Sequence, residues 1–538
     1  MLKTYDWPLH IGGADVETGQ WTYPVHADLA ISDHRAARQA ALDAHDGTLG
    51  EGVVARVALA GPQHLAEASA AAAAAFPTWR RVPLAERLAI GADIHRRLVA
   101  QQDELAAMMT ADGYPARVAQ WSIAGMTHIL SPAYLSRNAT DLHREERFGE
   151  RRVITRRLPD GVVAFHPPRN AAATLSCLAI PMMLAGNTLI MRAPSAVPAG
   201  LMYLFREIVL PALEAAGAPA GVCNLVCSGA QETIEAWLED PLINDIAFVG
   251  ASDLGIHIGN ECHKRGKKAL LELAGNDGIV IWHDADLDRA AQAAAESFLA
   301  STQICMVPKY AIVHPDVADA FLQRLTTLAD KLRPSLPSQP GAVLAPVAKA
   351  NEFVEAVASL KAVGATILTG GDLVGLDNTP SPRGPFARPT VARVDGLAHA
   401  ARLDAVTEET FFPLLPVVVP DVASDDGALL TEVAAFLNRN AYGLRNSLWT
   451  ASETTIDRFL AEVTNGGLIK VNDSHAGTAP FATTHGGTGL SGGPHGQAYF
   501  PLLHATHLQS VSIGHKIDVH AALTDTHQHP PLGAAMEA

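Results

Sequence analysis

The sequence predicts an α/β fold built on two parallel sheets, and three observations carry that reading. Short apolar runs rich in β-branched residues alternate with helix-like segments from residue 160 onward, and the alternation resumes after residue 309. At 538 residues the chain is also too long for one core.

In the first alternation the strand-like runs are GVVAF (161–165), NTLIM (187–191), GVCNLVC (221–227) and NDIAFV (244–249). Helical segments at about 173–185, 199–215 and 230–239 lie between them. Buried strands joined by helices imply parallel pairing through right-handed crossovers, the architecture of a Rossmann-like dinucleotide-binding domain. KALLELA (268–274) and GIVIW (278–282) follow, then a helix at about 286–300 that runs into Cys305. The second alternation places strands at 310–314, 365–370, 416–420, 446–450 and 467–471, with helices at 315–332 and 427–437. Upstream, 62–76 is strongly helix-prone and is expected to stop at Pro77, and 83–110 reads as a further helix. Residues 1–50 show no sustained period. THLQSVSI (506–513) reads as a last strand, before a His-rich tail at 514–538.

Composition narrows the function. A net charge of −16 and a pI near 5.8 argue against a nucleic-acid partner. They leave room for a nucleotide cofactor, because helix N-termini hold phosphates without net positive charge. The five cysteines (177, 223, 227, 262 and 305) follow no disulfide spacing, which suggests reduced thiols in a cytoplasm. The N-terminus lacks the apolar run of a signal peptide. Residues 171–191 are apolar enough to raise the membrane question, but Pro181 and Gly186-Asn187 interrupt them, so a buried helix and strand are expected instead.

Two positions stand out chemically. Cys305, in STQICMVPK (301–309), lies between a predicted helix and a strand; a lone cysteine is more often a small buried hydrophobe than a nucleophile. Glu272 puts a carboxylate in an otherwise apolar strand, 33 positions earlier. Burial raises a carboxyl pKa toward the range of a general base, although an ion-paired glutamate reads equally well.

LELAGND (271–277) and TQIC (302–305) together resemble the NAD(P)-dependent aldehyde dehydrogenase superfamily, over about residues 55–513. That family carries Glu-Leu-Gly-Gly and Gly-Gln-x-Cys; here Ala274 and Thr302 each replace a glycine. The resemblance implies that Cys305 is the nucleophile and Glu272 the base. Asn170, in Pro168-Arg169-Asn170, matches the family's Pro-Trp-Asn and would stabilise an oxyanion. The implied reaction oxidises an aldehyde to a carboxylic acid through a thiohemiacetal and a thioester on Cys305, which water activated by Glu272 hydrolyses.

The resemblance also implies the cofactor residues. Gly250, Ser252 and Gly255 match a loop where a strand ends and a helix opens, so that amides approach a pyrophosphate. Gly229, Leu273, Pro168 and Arg169 belong to the same surface. Arg192 and Ser195 stand where NAD-preferring relatives carry a lysine and a glutamate. Losing that carboxylate, with an arginine able to pair bidentately with a 2′-phosphate, points to NADP as well as NAD. Glu409 and Phe411, in EETFFP (408–413), would hold the nicotinamide ribose and pack beside the ring, with Phe412 replacing a glycine.

The domain reading that follows assigns 1–137 and 158–273 to cofactor binding and 274–475 to catalysis. Residues 138–157 and 476–513 form a small β oligomerisation arm, giving a homodimer or homotetramer. Phe481 is a candidate for the substrate tunnel. His504, His507, His527 and His529 lack companion ligands, so no catalytic metal is expected. The alternatives are a CoA-acylating semialdehyde dehydrogenase, a non-catalytic relative of the fold, and a cysteine hydrolase, for which no histidine partner is evident.

Overall fold

The structure, a computed structural model, describes residues 3–148, 151–483 and 485–514. Two seven-stranded sheets dominate the described residues, accompanied by two three-stranded and two two-stranded sheets. The first runs in the order Lys268–Glu272, Asp245–Val249, Val162–His166, Thr188–Pro194, Cys223–Ser228, Leu9–Ile11, Ala14–Val16. Its first five strands are parallel, and Leu9–Ile11 and Ala14–Val16 extend it antiparallel. Chain order reverses between Val162–His166 and Asp245–Val249, which opens a crevice at their carboxyl ends, where doubly wound sheets take their ligands. Both strands are wholly buried, which explains their continuous rather than alternating apolar pattern.

The second sheet runs Thr366–Thr369, Thr390–Asp395, Leu414–Val419, Pro308–Val313, Asp277–Ile281, Arg445–Trp449, Leu468–Val471, parallel except at the Thr366–Thr369 edge. The chain passes from one sheet to the other between Glu272 and Asp277, so the passage itself lies at the crevice. His143–Phe148, Arg151–Pro159 and Thr506–Gly514 form the antiparallel third sheet, largely exposed.

Several boundaries differ from the sequence expectation. The first long helix, Pro62–Trp79, continues through Pro77. A proline so near a C-terminus removes one helical bond, and Trp79 Nε1 anchors the last turn on the Met183 carbonyl at 3.0 Å. The 83–110 segment divides at Gln101 into Leu84–Ala100 and Gln102–Ala111. The 199–215 segment contains a π-turn, Leu204–Val209, just ahead of Pro211, which cannot supply a helical N–H. The apolar 171–191 stretch is two short helices, Ala172–Ser176 and Ala179–Leu184, leading into Thr188–Pro194. Among the described residues no helix is long and apolar enough to cross a membrane. The helix before Cys305 also stops early, at Ala295, and a tight irregular turn replaces it.

Candidate active site

Glu272 ends the edge strand of the first sheet, and Cys305 sits on the connection into Pro308–Val313 of the second. Gly275 brings the two together. A Cβ there would lie 2.3 Å from the Cys305 carbonyl oxygen, so only glycine lets the two backbones touch. Asn170, exposed at the mouth of the crevice, donates from Nδ2 to the Gln303 carbonyl at 2.9 Å. An amide nitrogen carries two hydrogens, so the second is available to a substrate oxygen.

The turn before Cys305 is strained. Ala300, Ser301 and Thr302 have φ of +48°, +55° and +64°. For a β-branched residue such as Thr302 that conformation costs on the order of 1–2 kcal/mol and persists only where its surroundings impose it. Here they do. Ala300 N–H donates to Val343 O (3.0 Å), Ser301 Oγ to Ala345 O (2.6 Å), and Gln303 Nε2 to Pro346 O (2.9 Å). Lys309, fully buried, closes the turn from the other side. Its Nζ donates to the carbonyls of Thr302 (3.0 Å), Ile304 (2.9 Å) and Thr410 (2.9 Å), and it lies 5.3 Å from the Phe411 ring centre. One buried cation thus ties the turn before Cys305 to the segment carrying Glu409 and Phe411.

Glu272 is 1% exposed; Gly486 N–H donates to its Oε2 at 2.6 Å, while Oε1 has no partner. Burial raises its pKa to about 7 against the opposing pull of that N–H, of Arg445 and of the Tyr499 hydroxyl, with Asp277 adding to the rise. Gly486 has a φ of +86°, and a Cβ there would meet the Gln497 carbonyl oxygen at 2.2 Å, so the turn that grips Glu272 requires glycine. Cys305 alone among the five free cysteines is partly accessible. Its thiol pKa is raised by burial first and then by Glu272, Glu409 and Asp277, with Lys309 opposing. Cys223 and Cys227 are buried on one core strand, as packing residues.

The residues that the resemblance nominates for a cofactor differ in their surroundings. Pro168 and Arg169 lie at the crevice, and Gly229 opens the helix Ala230–Glu239 with no atom within 4 Å of where a Cβ would be. Glu409 Oε1 accepts from Gly275 N–H at 3.1 Å, which sets its carboxylate beside the passage from Glu272 to Asp277. Gly250 and Gly255, however, do not offer free amides. Gly250 N–H is bonded to Glu272 O and Gly255 N–H to Ala251 O. Their lack of a Cβ makes room for the Phe248 ring (2.6 Å) and the Leu273 side chain (2.1 Å) instead. Leu273, 1% exposed, is thereby a packing residue beneath the loop. The helix Ser252–Lys264 has no side-chain cap, and Ser252 Oγ donates to Leu490 O at 2.5 Å.

Arg192 departs furthest from expectation. It lies within Thr188–Pro194, 4% exposed, and its fork is spent on Ser228 O through Nε (3.1 Å) and Nη2 (2.8 Å). Nη1 donates to His166 at 3.0 Å, a ring kept neutral because burial and Arg192 lower its pKa to about 3. A bidentate grip on a 2′-phosphate is therefore not what this side chain does. Ser195, the other half of the pair, is partly exposed. Phe412 fills the core against Phe353, their rings 5.7 Å apart, which accounts for a large residue where the resemblance has glycine.

Phe481 is half exposed, with its ring beside those of Tyr134 and His128. His504, half-buried, stacks against Tyr499, and His507 pairs with Asp160 at 2.7 Å; His527 and His529 lie outside the described residues. Among the described residues no group of three or more His, Cys, Asp or Glu is arranged to hold a metal. Sequence reasoning missed Lys309, Gly486 and Tyr499. Lys309 stands in the quoted cysteine run and Gly486 in a glycine-rich block, but nothing in either marks a contact with the base or the nucleophile.

Known proteins bear out the resemblance. A sequence profile described as the aldehyde dehydrogenase family matches residues 36–511. The chain is 31% identical over 445 residues to the N-succinylglutamate 5-semialdehyde dehydrogenase of Klebsiella pneumoniae, covering 80% of this chain and 84% of that protein. It is 29% identical over 433 residues to the glutarate-semialdehyde dehydrogenase of Pseudomonas putida, covering 78% and 84%. Its fold matches the crystal structure of PnpE in complex with nicotinamide adenine dinucleotide, with a TM-score of 0.77, 23% identity, and 95% and 98% of the two chains covered.

Proposed function

The chain belongs to the aldehyde dehydrogenase family, an NAD(P)-dependent class of aldehyde-oxidising enzymes, and on that premise we propose how its own residues carry the reaction. The Cys305 thiol gives its proton to solvent, its sulfur attacks the aldehyde carbon, and the Asn170 amide donates to the oxygen that takes up the charge. A bound NAD(P)⁺ would supply the hydride acceptor for this oxidation, and Cys305 would carry the acyl group as a thioester. Glu272 takes a proton from water, the hydroxide displaces Cys305, and a carboxylic acid leaves. The observation that carries this reading is the contact of three strand ends through Gly275 and Gln303, which gathers a thiol, a near-neutral carboxyl and an amide donor.

Pro168, Arg169, Gly229, Ser252, Glu409 and Phe411 would hold the cofactor, with Gly250, Gly255 and Leu273 shaping the loop by packing. We propose that NADP is accepted beside NAD, because Ser195 leaves no carboxylate to repel a 2′-phosphate. The ratio of kcat/KM for the two cofactors tests this, and a strong NAD preference would exclude it. Residues 1–137 and 158–273 are assigned to cofactor binding, 274–475 to catalysis, and 138–157 with 476–513 to an arm joining a homodimer or homotetramer. The exposed Phe148 and Leu508 on the three-stranded sheet support that arm. Five free cysteines fit a reducing cytoplasm. Cys305→Ala should abolish aldehyde-dependent nicotinamide reduction while leaving cofactor binding nearly intact. Full activity in that variant excludes the scheme.

A further inference from the structure

Glu272 has one firm anchor. Gly486 N–H fixes its Oε2 at 2.6 Å, while Oε1 has no bonded partner. A carboxyl held by a single bond can still turn about it, yet a general base has to sit within about 0.5 Å of its productive position. Tyr499 is placed to supply a second constraint. Its ring lies against the open face of Gly486, where a Cβ would meet Cδ1 at 2.5 Å and Cε1 at 2.7 Å. Tyr499 N–H donates to the His485 carbonyl at 2.9 Å, in a bridge that pairs the two segments antiparallel. The ring also stacks with His504, 3.6 Å between centres, and the residue is 7% exposed. A side chain clamped in this way has little freedom, and its hydroxyl faces the Glu272 carboxylate.

Thioester hydrolysis makes two demands on such a contact. The ionised carboxylate needs a donor before the step, and the protonated carboxyl needs an acceptor after it; a phenol hydroxyl is both. Burial first, and Glu272 second, hold the Tyr499 pKa well above the ordinary tyrosine value, so the group stays a neutral hydroxyl. Arg445, Asp277 and the Cys305 thiol are the other charged or titratable groups around Glu272, and removing a phenol oxygen leaves all three in place. Tyr499 also lies in 476–513, the segment assigned above to the oligomerisation arm, so that segment reaches the reacting groups.

We propose that Tyr499 is a positioning residue for thioester hydrolysis, its hydroxyl donating to the Glu272 carboxylate while Glu272 takes a proton from water. The proposal rests on the reading that Glu272 is the base, and it adds the residue that steadies it. In the step, water loses a proton to Glu272 and its oxygen bonds to the acyl carbon. The C–S bond breaks, its electron pair leaves with the Cys305 sulfur, and Tyr499 keeps its own proton.

The test compares wild type, Tyr499→Phe, Glu272→Gln and the double variant as full chains, each with NAD or NADP and an aldehyde that wild type oxidises. Two rates are read between pH 6 and pH 9: the burst of reduced cofactor, and the loss of acyl mass from Cys305 after one turnover. Phenylalanine keeps the ring contacts, and the burst amplitude counts folded sites, so the burst rate per site should stay within about twofold of wild type. Loss of a donor to the ionised carboxylate should raise the pH midpoint of acyl loss from about 7 by about one unit. Hydrolysis then falls about fivefold at pH 7 and is largely regained at pH 9. In the Glu272→Gln background the same change should cost less than about twofold. An unmoved midpoint, an equal loss in burst and hydrolysis, or an undiminished loss in the Glu272→Gln background overturns the proposal. A wild type that forms no acyl group on Cys305, or a Glu272→Gln variant that sheds it at the wild-type rate, overturns the underlying reading and this proposal with it. Both results are distinct from an unmoved midpoint in Tyr499→Phe alone.

Discussion

Replacing Glu272 by glutamine isolates what this buried carboxyl does. Glutamine keeps the size and can still accept the Gly486 N–H bond, but it cannot take a proton from water. The shift of the native carboxyl from 4.5 to about 7 corresponds to roughly 3 kcal/mol of preference for the protonated form. At pH 6 only about one-tenth of the enzyme then carries the ionised base, against about nine-tenths at pH 8. Where thioester hydrolysis limits turnover, kcat should climb about ninefold over those two units and level off above pH 8. Glu272→Gln should lose that slope and about 10²–10⁴-fold in kcat, while still giving an initial burst of reduced cofactor near one equivalent per active site.

Stability follows with a definite sign. Because the folded state binds this proton more tightly than the unfolded state, stability falls as pH rises from 4.5 to about 7 and stays lower above it. Glu272→Gln should therefore be the more stable protein at pH 8 in denaturant unfolding. An unchanged kcat and pH profile in the variant would refute the assignment of Glu272 as the base.

Other perturbations test other parts of the account. Lys309→Met orphans three buried carbonyls and should cost on the order of 3 kcal/mol or more, with a large loss of activity. Thr302→Gly relieves the strained turn and should leave stability within about 1 kcal/mol of wild type. Combined with Lys309→Met it should recover part of the loss, and strict additivity would show that Lys309 does not hold that turn. Iodoacetamide labelling of cofactor-free Cys305 should still be accelerating above pH 9, since burial and three carboxylates raise the thiol pKa; a plateau by pH 7 contradicts that. Leu508→Asp with Phe148→Asp should lower the oligomeric mass in light scattering, and an unchanged mass removes the arm from the interface.

The parallel sheets were legible because strands buried on both faces leave continuous β-branched runs, such as GVVAF and NDIAFV. Short or edge segments were not. Leu9–Ile11 has too few residues for a period yet joins the first sheet, and Thr390–Asp395 carries an arginine in its middle. The nomination of Cys305, Glu272 and Asn170 rests on motif resemblance, and the contacts that support them left no such signal. Lys309 looks like any surface lysine in a sequence; only the fold brings carbonyls 302, 304 and 410 around it. Gly255 reads as a phosphate loop, whereas the structure uses it to admit Leu273, a contact between residues 18 positions apart. Arg192 reads as a free cation, because its partner, the Ser228 carbonyl, is a backbone atom that no side-chain pattern announces.

The most direct test of the central claim is to catch the acyl group on its sulfur. Glu272→Gln is mixed with an aldehyde that the wild type oxidises and with NAD or NADP, quenched in acid after one turnover, digested, and weighed by mass spectrometry. The account predicts that the peptide containing Cys305 gains the mass of the acyl group, in proportion to the burst of reduced cofactor. Reduced cofactor formed without any mass on Cys305, or with the acyl group on another residue, contradicts it.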